Sequence, residues 1–198
     1  MSPCPSLRQA LRAATRAEHE ALEAQPLMRR LVSPELTLAE YSLIVRAQRA
    51  YYRLLEPALW PFERQLRDRL PDAGYRYQSR LPALERDSRQ LALPADESEP
   101  GWVFRPTSAE QALGVLYVLE GASQGGRLIA RRLEQVLALD GENGARFFSS
   151  YAEHSNWTLF CRWLEELPSE ELWGEAITGA QKTFTTLHIH FDHWQRRV

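Results

Sequence analysis

The chain has 198 residues and a formal net charge of −2, with 44% hydrophobic and 25% charged residues. These values are typical of one globular protein domain, so we expect residues 1–198 to form a single compact domain. The near-neutral charge disfavours a nucleic-acid-binding protein, whose surface usually carries a basic excess. No apolar run of about 18 residues is present, which argues against a membrane-spanning helix.

The two cysteines, Cys4 and Cys161, lie far apart in the sequence. Their separation suits neither a disulfide framework nor a metal-ligand pair. Residues 1–20 contain no apolar stretch of the kind found in a secretory signal peptide. We therefore expect a reducing, cytoplasmic setting.

The first predicted helix begins with a capping box formed by Ser6 and Gln9. In such a box, the serine oxygen accepts a hydrogen bond from a free N–H of the first turn, and the glutamine reaches back to the cap. Apolar residues then recur at helical spacing, and this pattern predicts one helix that ends before Pro26.

A second capping box, Thr37 and Glu40, opens the next predicted helix, which extends through residues 41–60. A shorter helix over residues 62–70 follows it. We expect Pro71 to end this shorter helix, because proline cannot continue the backbone hydrogen-bond pattern.

The middle of the chain is rich in turn-forming residues over 71–106, with a short helix predicted near residues 81–92. Thr107 and Glu110 have the spacing of a third capping box. Helical propensity and apolar spacing predict that the helix starting there continues to about Leu139.

The last part of the chain continues this helical pattern. The sequence predicts a loop over residues 140–144 and a helix over residues 154–166. Ser169 is the predicted cap of a final long helix that reaches about Gln195. Alternating β-branched runs and hairpin turn signals are absent, so the sequence predicts an all-α fold.

The predicted helix that starts at residue 107 contains glycines that weaken it. Gly121, Gly125 and Gly126 interrupt good helix formers, and each costs about 0.5–1 kcal/mol of helix stability relative to alanine. Gly114, Gly121 and Gly125 share one stripe of the helix, and the adjacent pair Gly125–Gly126 favours a kink. Such a stripe admits either another helix or a flat ligand, and the residues alone leave both interpretations open.

His19 and Glu23 are four residues apart on the first predicted helix, so their side chains can meet on one face. An imidazole that binds a metal through one nitrogen usually donates its other N–H to a carboxylate, which Glu23 supplies. The alternative is an ordinary exposed charged pair. Arg12 lies on nearly the same face and suits either an anion bound beside His19 or a solvated surface position.

The C-terminal region contains three histidines, His188, His190 and His193. His190 and His193 have the spacing to face each other on a helix, whereas His188 and His190 do not. A two-histidine metal site is therefore one interpretation, although its spacing matches no strong metal-binding signature.

Two segments together resemble a known family. The segment LRAATRAEHEALE (residues 11–23) is followed later in the chain by LYVLEGASQGGRLIARRL (residues 116–133), and this order resembles the haem oxygenase family. The similarity extends over most of the chain. The second segment is more similar to the bacterial enzymes, including those that supply biliverdin to bacteriophytochromes, than to the animal ones.

The resemblance implies that haem lies between a proximal first helix and a kinked, glycine-rich distal helix. His19 would then be the proximal ligand of the haem iron, and Glu23 the carboxylate that orients the imidazole. Gly121, Gly125 and Gly126 would be the distal glycines that lie over the haem at the catalytic centre.

The resemblance also implies contacts to the haem propionates. Arg12 falls where the family has a basic residue that meets a propionate. Tyr117 lies within one residue of a propionate-proximal tyrosine, and Arg162 is the basic candidate on the penultimate helix. Side chains that grip the propionates set the rotation of the haem, and hence the meso carbon that is cleaved.

One position departs from the family pattern. Many members have an aspartate directly after the first distal glycine, where it organises distal water, but this chain has Ala122. The neighbouring Ser123 and Gln124 are polar, so they are the candidates to replace the aspartate. Ser123 is accordingly included among the expected catalytic residues.

The implied activity is the cleavage of haem b at a meso carbon to biliverdin, CO and Fe(II), with O₂ as oxidant. Haem is both substrate and cofactor, and an external reductase or ferredoxin supplies electrons. The subfamily suggests a bacteriophytochrome as biliverdin acceptor, and we expect no nucleic-acid or membrane partner.

Three alternatives compete with this enzyme. They are a non-catalytic haem-binding or carrier protein, a small-molecule enzyme of the same fold without haem, and a scaffold whose glycine stripe packs on a partner helix.

Overall fold

The computed structural model describes residues 6–68, 75–94, 102–153, 156–165 and 173–197. Within these ranges the chain forms ten α-helices and no strand, which confirms the predicted all-α fold. The helices are α1 (Leu7–Ala14), α2 (Arg16–Glu23), α3 (Pro26–Leu31), α4 (Leu38–Asp68), α5 (Leu81–Gln90), α6 (Ala109–Gly121), α7 (Ser123–Leu137), α8 (Arg146–Glu153), α9 (Trp157–Glu165) and α10 (Trp173–Gln195).

Several sequence predictions fall outside the described residues: the helix stop at Pro71, the helix boundaries at His154 and Glu166, and the cap at Ser169. The end of the final helix at Gln195 is confirmed. No helix in the described part of the chain is both long enough and apolar enough to cross a membrane.

The helix predicted before Pro26 is present, but a break at Thr15 divides it into α1 and α2. The Thr15 Oγ1 donates a hydrogen bond to the carbonyl oxygen of Leu11 at 2.8 Å. Such bonding to the preceding turn bends helices. The capping box of Ser6 and Gln9 is confirmed, since both of its reciprocal hydrogen bonds are formed.

The sequence predicted two helices after Thr37, one through residues 41–60 and one over residues 62–70. This division is wrong, because α4 is continuous. Its capping box is as predicted: the Glu40 N–H donates to the Thr37 Oγ1 at 3.2 Å, and the Thr37 N–H donates to the Glu40 Oε2 at 2.8 Å. Pro57 and Pro61 lie inside α4, one turn apart, and both are exposed. Since both prolines lie on the outer face, the resulting defects in the hydrogen-bond ladder do not disturb the buried face.

Helix α8 follows the 140–144 loop and is absent from the sequence predictions. Asp87 on α5 caps its start: the carboxylate oxygens accept hydrogen bonds from the N–H groups of Arg146 at 2.6 Å and Phe147 at 2.8 Å. Burial raises the pKa of Asp87, while these two hydrogen bonds lower it. A cap that comes from another helix has no local sequence signature, so this helix start was not recognised.

The third predicted capping box, formed by Thr107 and Glu110, is wrong. Ser108 caps the helix instead, and its Oγ accepts a hydrogen bond from the Gln111 N–H at 3.2 Å. The Gln111 Oε1 accepts the Thr107 N–H at 2.9 Å, while its Nε2 donates to Glu175 of α10 at 2.6 Å. Gln111, which also contacts α10, is therefore the residue bonded to the Ser108 cap, in place of the predicted Glu110.

Helices α6 and α10 form the central pair of the fold, and glycines allow their backbones to approach closely. A Cβ atom on Gly114 would overlap the carbonyl oxygen of Ala176 and lie 2.6 Å from the Ala180 nitrogen. A Cβ atom on Gly179 would likewise overlap the carbonyl oxygen of Gln111. The helix-packing interpretation of the glycine stripe therefore holds for Gly114.

Replacing Gly114 with alanine should lower the free energy of unfolding by about 1–3 kcal/mol or more, because the added methyl group forces α6 and α10 apart. Urea unfolding followed by circular dichroism measures this loss. Gly174→Ala is the matched control on α10, since its Cβ would have no neighbour within 4 Å among the described residues. Equal stability of the two variants would contradict the close packing.

Candidate functional site

Helix α2 presents His19 and Glu23 to solvent. The His19 Nδ1 lies 3.5 Å from the Glu23 Oε2, and the two side chains are 56% and 69% exposed. The His19 ring contacts the Phe184 ring of α10 edge to face, with 5.7 Å between the ring centroids. Because Glu23 faces Nδ1, the Nε2 atom is the nitrogen left to bind a ligand.

Tyr117 on α6 connects the region of α2 to the glycine-rich segment. Its hydroxyl lies near Thr15, and its ring centroid lies 5.8 Å from that of Trp157 on α9. Burial raises the pKa of Tyr117, while the Thr15 hydrogen bond and the nearby charge of Arg12 lower it. A Cβ atom on Gly121 would lie 3.8 Å from the same Trp157 ring. Tyr117 and Trp157 therefore connect the α1–α2 break with the first distal glycine.

The glycine-rich segment is interrupted at Ala122, where α6 ends and α7 begins. The Ser123 Oγ donates to the Glu120 carbonyl oxygen at 2.6 Å and accepts from the Gln124 Nε2 at 3.4 Å. The serine hydroxyl thus competes for a carbonyl that the continuing helix would use, which favours a break. The helix predicted from residue 107 to about Leu139 is therefore interrupted at Ala122, before the adjacent glycines at which a kink was predicted.

The three distal glycines face two different surroundings. Outside the backbone of its own helix, a Cβ atom on Gly125 would have only the Ile129 Cδ1 within 4 Å among the described residues, at 3.8 Å. A Cβ atom on Gly121 would have similar room, with the Trp157 ring at 3.8 Å. A Cβ atom on Gly126 would overlap the Tyr151 Cβ and lie 2.8 Å from its Cδ2. Gly121, beside Trp157, and Gly125 therefore have room for a Cβ atom, whereas Gly126 packs on α8.

The other predicted site residues lie at different depths. Arg12 is exposed in the last turn of α1, close enough to lower the pKa of Tyr117. Arg162 is exposed on α9, which packs against α1 and α6. Ser123 is buried at the α6–α7 break. The charge of Arg12 thus acts on Tyr117, whereas Arg162 lies at the surface of a neighbouring helix.

The structure does not support a two-histidine metal site at the C-terminal end. The His190 Nε2 lies 2.8 Å from the Ala47 carbonyl oxygen and so carries the proton, while the Nδ1 atom is buried without a partner. The ring packs against those of Tyr51 and Trp194. Among the described residues, no group of three or more His, Cys, Asp or Glu side chains is arranged to hold a metal ion.

His190 makes stability depend on pH. Burial lowers its pKa from 6.5 to about 4, so the unfolded chain takes up a proton first as the pH falls. Stability present above pH 6.5 is therefore lost between pH 6.5 and 4, by up to about 3 kcal/mol. We expect His190→Gln, which keeps a donor for Ala47, to lose less unfolding free energy than wild type between neutral and acidic pH. Equal losses in urea titrations would contradict this assignment.

Three contact residues of the site were not predicted from the sequence. Thr15 provides the α1–α2 break, Phe184 supports the His19 ring, and Trp157 lies beside Gly121. Their only sequence signals are a threonine in a helix and aromatic residues at helical spacing, which also occur throughout protein cores. Only the packing of α9 and α10 gives them these positions.

The arrangement suits a flat, metal-containing ligand. The imidazole of His19 is a suitable axial ligand for iron. The bare backbone at Gly121 and Gly125 allows a planar ring to come closer than side chains would permit. Arg12 supplies positive charge for an anionic edge of that ring. The residues present therefore fit haem, as the sequence resemblance implies.

Comparison with known proteins supports this interpretation. The sequence model of the family described as heme oxygenase matches residues 5–192. A heme oxygenase from Xanthomonas campestris pv. campestris is 37% identical over 147 residues, which cover 71% of this chain and 83% of the relative.

Two solved structures share the fold. The heme oxygenase from Neisseria meningitidis, solved in NO- and CO-bound forms, has a TM-score of 0.76 at 22% identity, covering 96% of this chain and 92% of its own. The heme oxygenase from Leptospira interrogans has a TM-score of 0.74 at 19% identity, covering 96% of this chain and 100% of its own.

Proposed function

Because the chain belongs to the haem oxygenase family and is therefore a haem-degrading oxidoreductase, we propose that it cleaves haem b at a meso carbon to biliverdin, CO and Fe(II). The observation that carries the proposal is the exposed His19, with Glu23 at its Nδ1, together with the bare backbone of Gly121 and Gly125. Bound haem supplies the iron that activates O₂ and the porphyrin that is oxidised.

In this proposal His19 would hold the haem iron through Nε2. Glu23 would accept a hydrogen bond from the Nδ1–H, which fixes the neutral tautomer and the orientation of the ring. A neutral imidazole donates less electron density to the iron than a thiolate does, so it does not drive the O–O cleavage chemistry of thiolate-ligated haem. Phe184 limits rotation of the imidazole from the side of α10.

Gly121 and Gly125 let the backbone of the distal segment lie close to the haem face. Side chains at these two positions would hold the helix away, whereas glycine would let the backbone itself limit the space for O₂ on this face. Gly126 contributes differently. Its packing against Tyr151 holds α7 in place and so supports the positions of Gly121 and Gly125.

Proton delivery is assigned to polar groups at the α6–α7 break, since Ala122 has no carboxylate. The Ser123 hydroxyl donates to the Glu120 carbonyl, so a water molecule at this serine would act as a donor to its oxygen. Gln124 has an exposed amide next to Ser123. We assign to Ser123 and Gln124 the task of holding the distal water that the family aspartate usually organises.

Arg12, Tyr117 and Arg162 are proposed to bind the haem propionates. Arg12 lies near enough to Tyr117 for its charge to lower the pKa of that tyrosine, so we assign both to the same propionate. Arg162 on α9 is a separate candidate. These contacts would set the rotation of haem in its plane and therefore the biliverdin isomer formed.

The same proposal includes the remaining participants in the reaction. An external reductase or a ferredoxin supplies electrons in the cytoplasm. The product passes to an acceptor such as a bacteriophytochrome. Mixing the purified protein with each electron donor in turn, and measuring the rate of haem loss, identifies the donor.

Haem turnover tests the proposed reaction directly. The protein is titrated with hemin and then supplied with a reductant and O₂, with catalase present to remove free peroxide. We expect the Soret band to be replaced by the broad red absorption of biliverdin, and chromatography then identifies the isomer. Haem that binds but stays intact would support a non-catalytic carrier, and an absent Soret shift would contradict haem binding altogether.

A further inference from the structure

A buried charged cluster lies on the α8 side of the α6–α7 break. The Arg80 Nη2 lies 3.0 Å from the Glu120 Oε2, and the two side chains are only 8% and 0% exposed. The Tyr75 hydroxyl donates to the other Glu120 oxygen at 3.0 Å. Glu120 directly precedes Gly121, so this ion pair is attached to α6 just before the break.

The backbone at Arg80 is fixed independently by Glu56 of α4. The Glu56 carboxylate accepts hydrogen bonds from the Tyr77 hydroxyl at 2.9 Å, the Ser79 hydroxyl at 2.6 Å and the Arg80 N–H at 2.6 Å. Three donors from one short segment hold that segment against α4. Arg80 therefore extends towards Glu120 from a fixed position.

Arg80 also contacts the far side of the break. Its guanidinium carbon lies 5.0 Å from the centre of the Tyr151 ring on α8. Tyr151 is the residue against which Gly126 of α7 is packed. One buried guanidinium thus reaches α6 through Glu120 and α7 through Tyr151.

Stability alone does not account for this pair. Burying two charges costs solvation energy, and apolar residues of similar volume often stabilise a core equally well or better. A guanidinium differs from an apolar side chain in its rigid, planar set of donors, which fixes the direction of its partner. The pair therefore suits the control of geometry between two helices.

We propose that Arg80 and Glu120 are positioning residues that set the angle of the α6–α7 break, and with it the distance of Gly121 and Gly125 from bound haem. This inference rests on the proposed function, since the break faces haem only in that assignment. Neither residue needs to touch haem: both act through the backbone of the distal segment.

The double variant Arg80→Met/Glu120→Leu tests the inference, because it removes both charges while nearly conserving volume. We expect it to fold, with a urea midpoint lowered only by the loss of the Tyr75 hydrogen bond to Glu120. We expect kcat to fall by about tenfold or more and the ratio of biliverdin isomers to change, since small displacements of reacting groups are costly. In the haem-free protein, the amides of residues 122–126 should exchange hydrogen faster than in wild type.

Two conservative variants and one control accompany it. Arg80→Lys keeps the charge but loses the planar donors, so its isomer ratio should shift in the same direction as that of the double variant. Glu120→Gln keeps the size of the side chain and removes its charge. Arg86→Gln breaks the exposed pair with Glu142 near the same region of the fold and should leave every measurement unchanged.

A folded double variant whose isomer ratio, kcat and amide exchange equal those of wild type would overturn the inference. If the double variant does not fold, Arg80→Lys and Glu120→Gln decide by the same measurements, and failure of all three to fold would show a purely structural role. Wild-type protein that does not degrade haem would overturn the proposed function instead. In that case, amide exchange of the haem-free protein would still test whether Arg80 and Glu120 control the α6–α7 break.

Discussion

Replacing His19 with alanine is expected to abolish the absorption spectrum of histidine-ligated haem and to stop biliverdin formation. The imidazole supplies the proposed axial ligand of the iron, and no other described histidine shares its position beside Phe184. Haem can still enter by apolar and propionate contacts, so the spectrum reports on ligation rather than on binding alone. Hemin titration followed by absorption spectroscopy, before and after addition of imidazole, measures the effect.

The controls for His19→Ala separate ligation from folding. His188→Ala removes an exposed histidine of α10 and should leave the spectrum as in wild type. Glu23→Gln should retain ligation but weaken haem affinity or activity by about 10–100-fold, as expected for a residue that orients a ligand. An unchanged spectrum of His19→Ala would assign the iron ligand to another histidine.

Gly125→Leu is expected to lower haem turnover by about a hundredfold or more, because its side chain would occupy the space proposed for haem. The haem-free protein should be as stable as wild type or slightly more stable. Leucine is a better helix former than glycine, and a Cβ atom at this position would meet only the Ile129 Cδ1 at 3.8 Å among the described residues. Turnover assays, hemin titration and urea unfolding of the haem-free protein measure the two effects separately.

The matched comparison is Gly126→Ala, one residue further along α7. Its methyl group would overlap Tyr151, so we expect a loss of about 1–3 kcal/mol in unfolding free energy. Gly125→Leu with normal turnover would show that Gly125 does not line the haem site. A loss of stability at Gly125 with none at Gly126 would reverse the assigned orientations.

Local sequence patterns predicted much of the helical structure. Capping boxes located the starts of α1 and α4, because both partners of such a box lie within one turn. The contact of His19 with Glu23 was predicted for the same reason, since residues four apart on a helix are neighbours. The resemblance to haem oxygenases then supplied the family, which the comparisons confirm.

The stripe of glycines shows where this local reasoning ends. Gly114, Gly121 and Gly125 have one periodicity, but Gly114 packs tightly on α10 while the other two have room for a Cβ atom. Periodicity gives the angular position of a residue around its helix and does not identify the neighbouring helix. It also did not locate the break at Ala122, which depends on a side-chain hydrogen bond of Ser123.

The sequence by itself determined the all-α class, the caps of α1 and α4 and the spacing of His19 and Glu23, because these depend on residues within one or two turns. Only the tertiary structure decided that Asp87 starts α8, that Gly126 seats α7 on Tyr151, and that Arg80 meets Glu120. Those partners are distant in the sequence, and only the packing of helices brings them into contact. The proposed haem site thus combines a locally encoded histidine with a distal segment whose position depends on the whole fold.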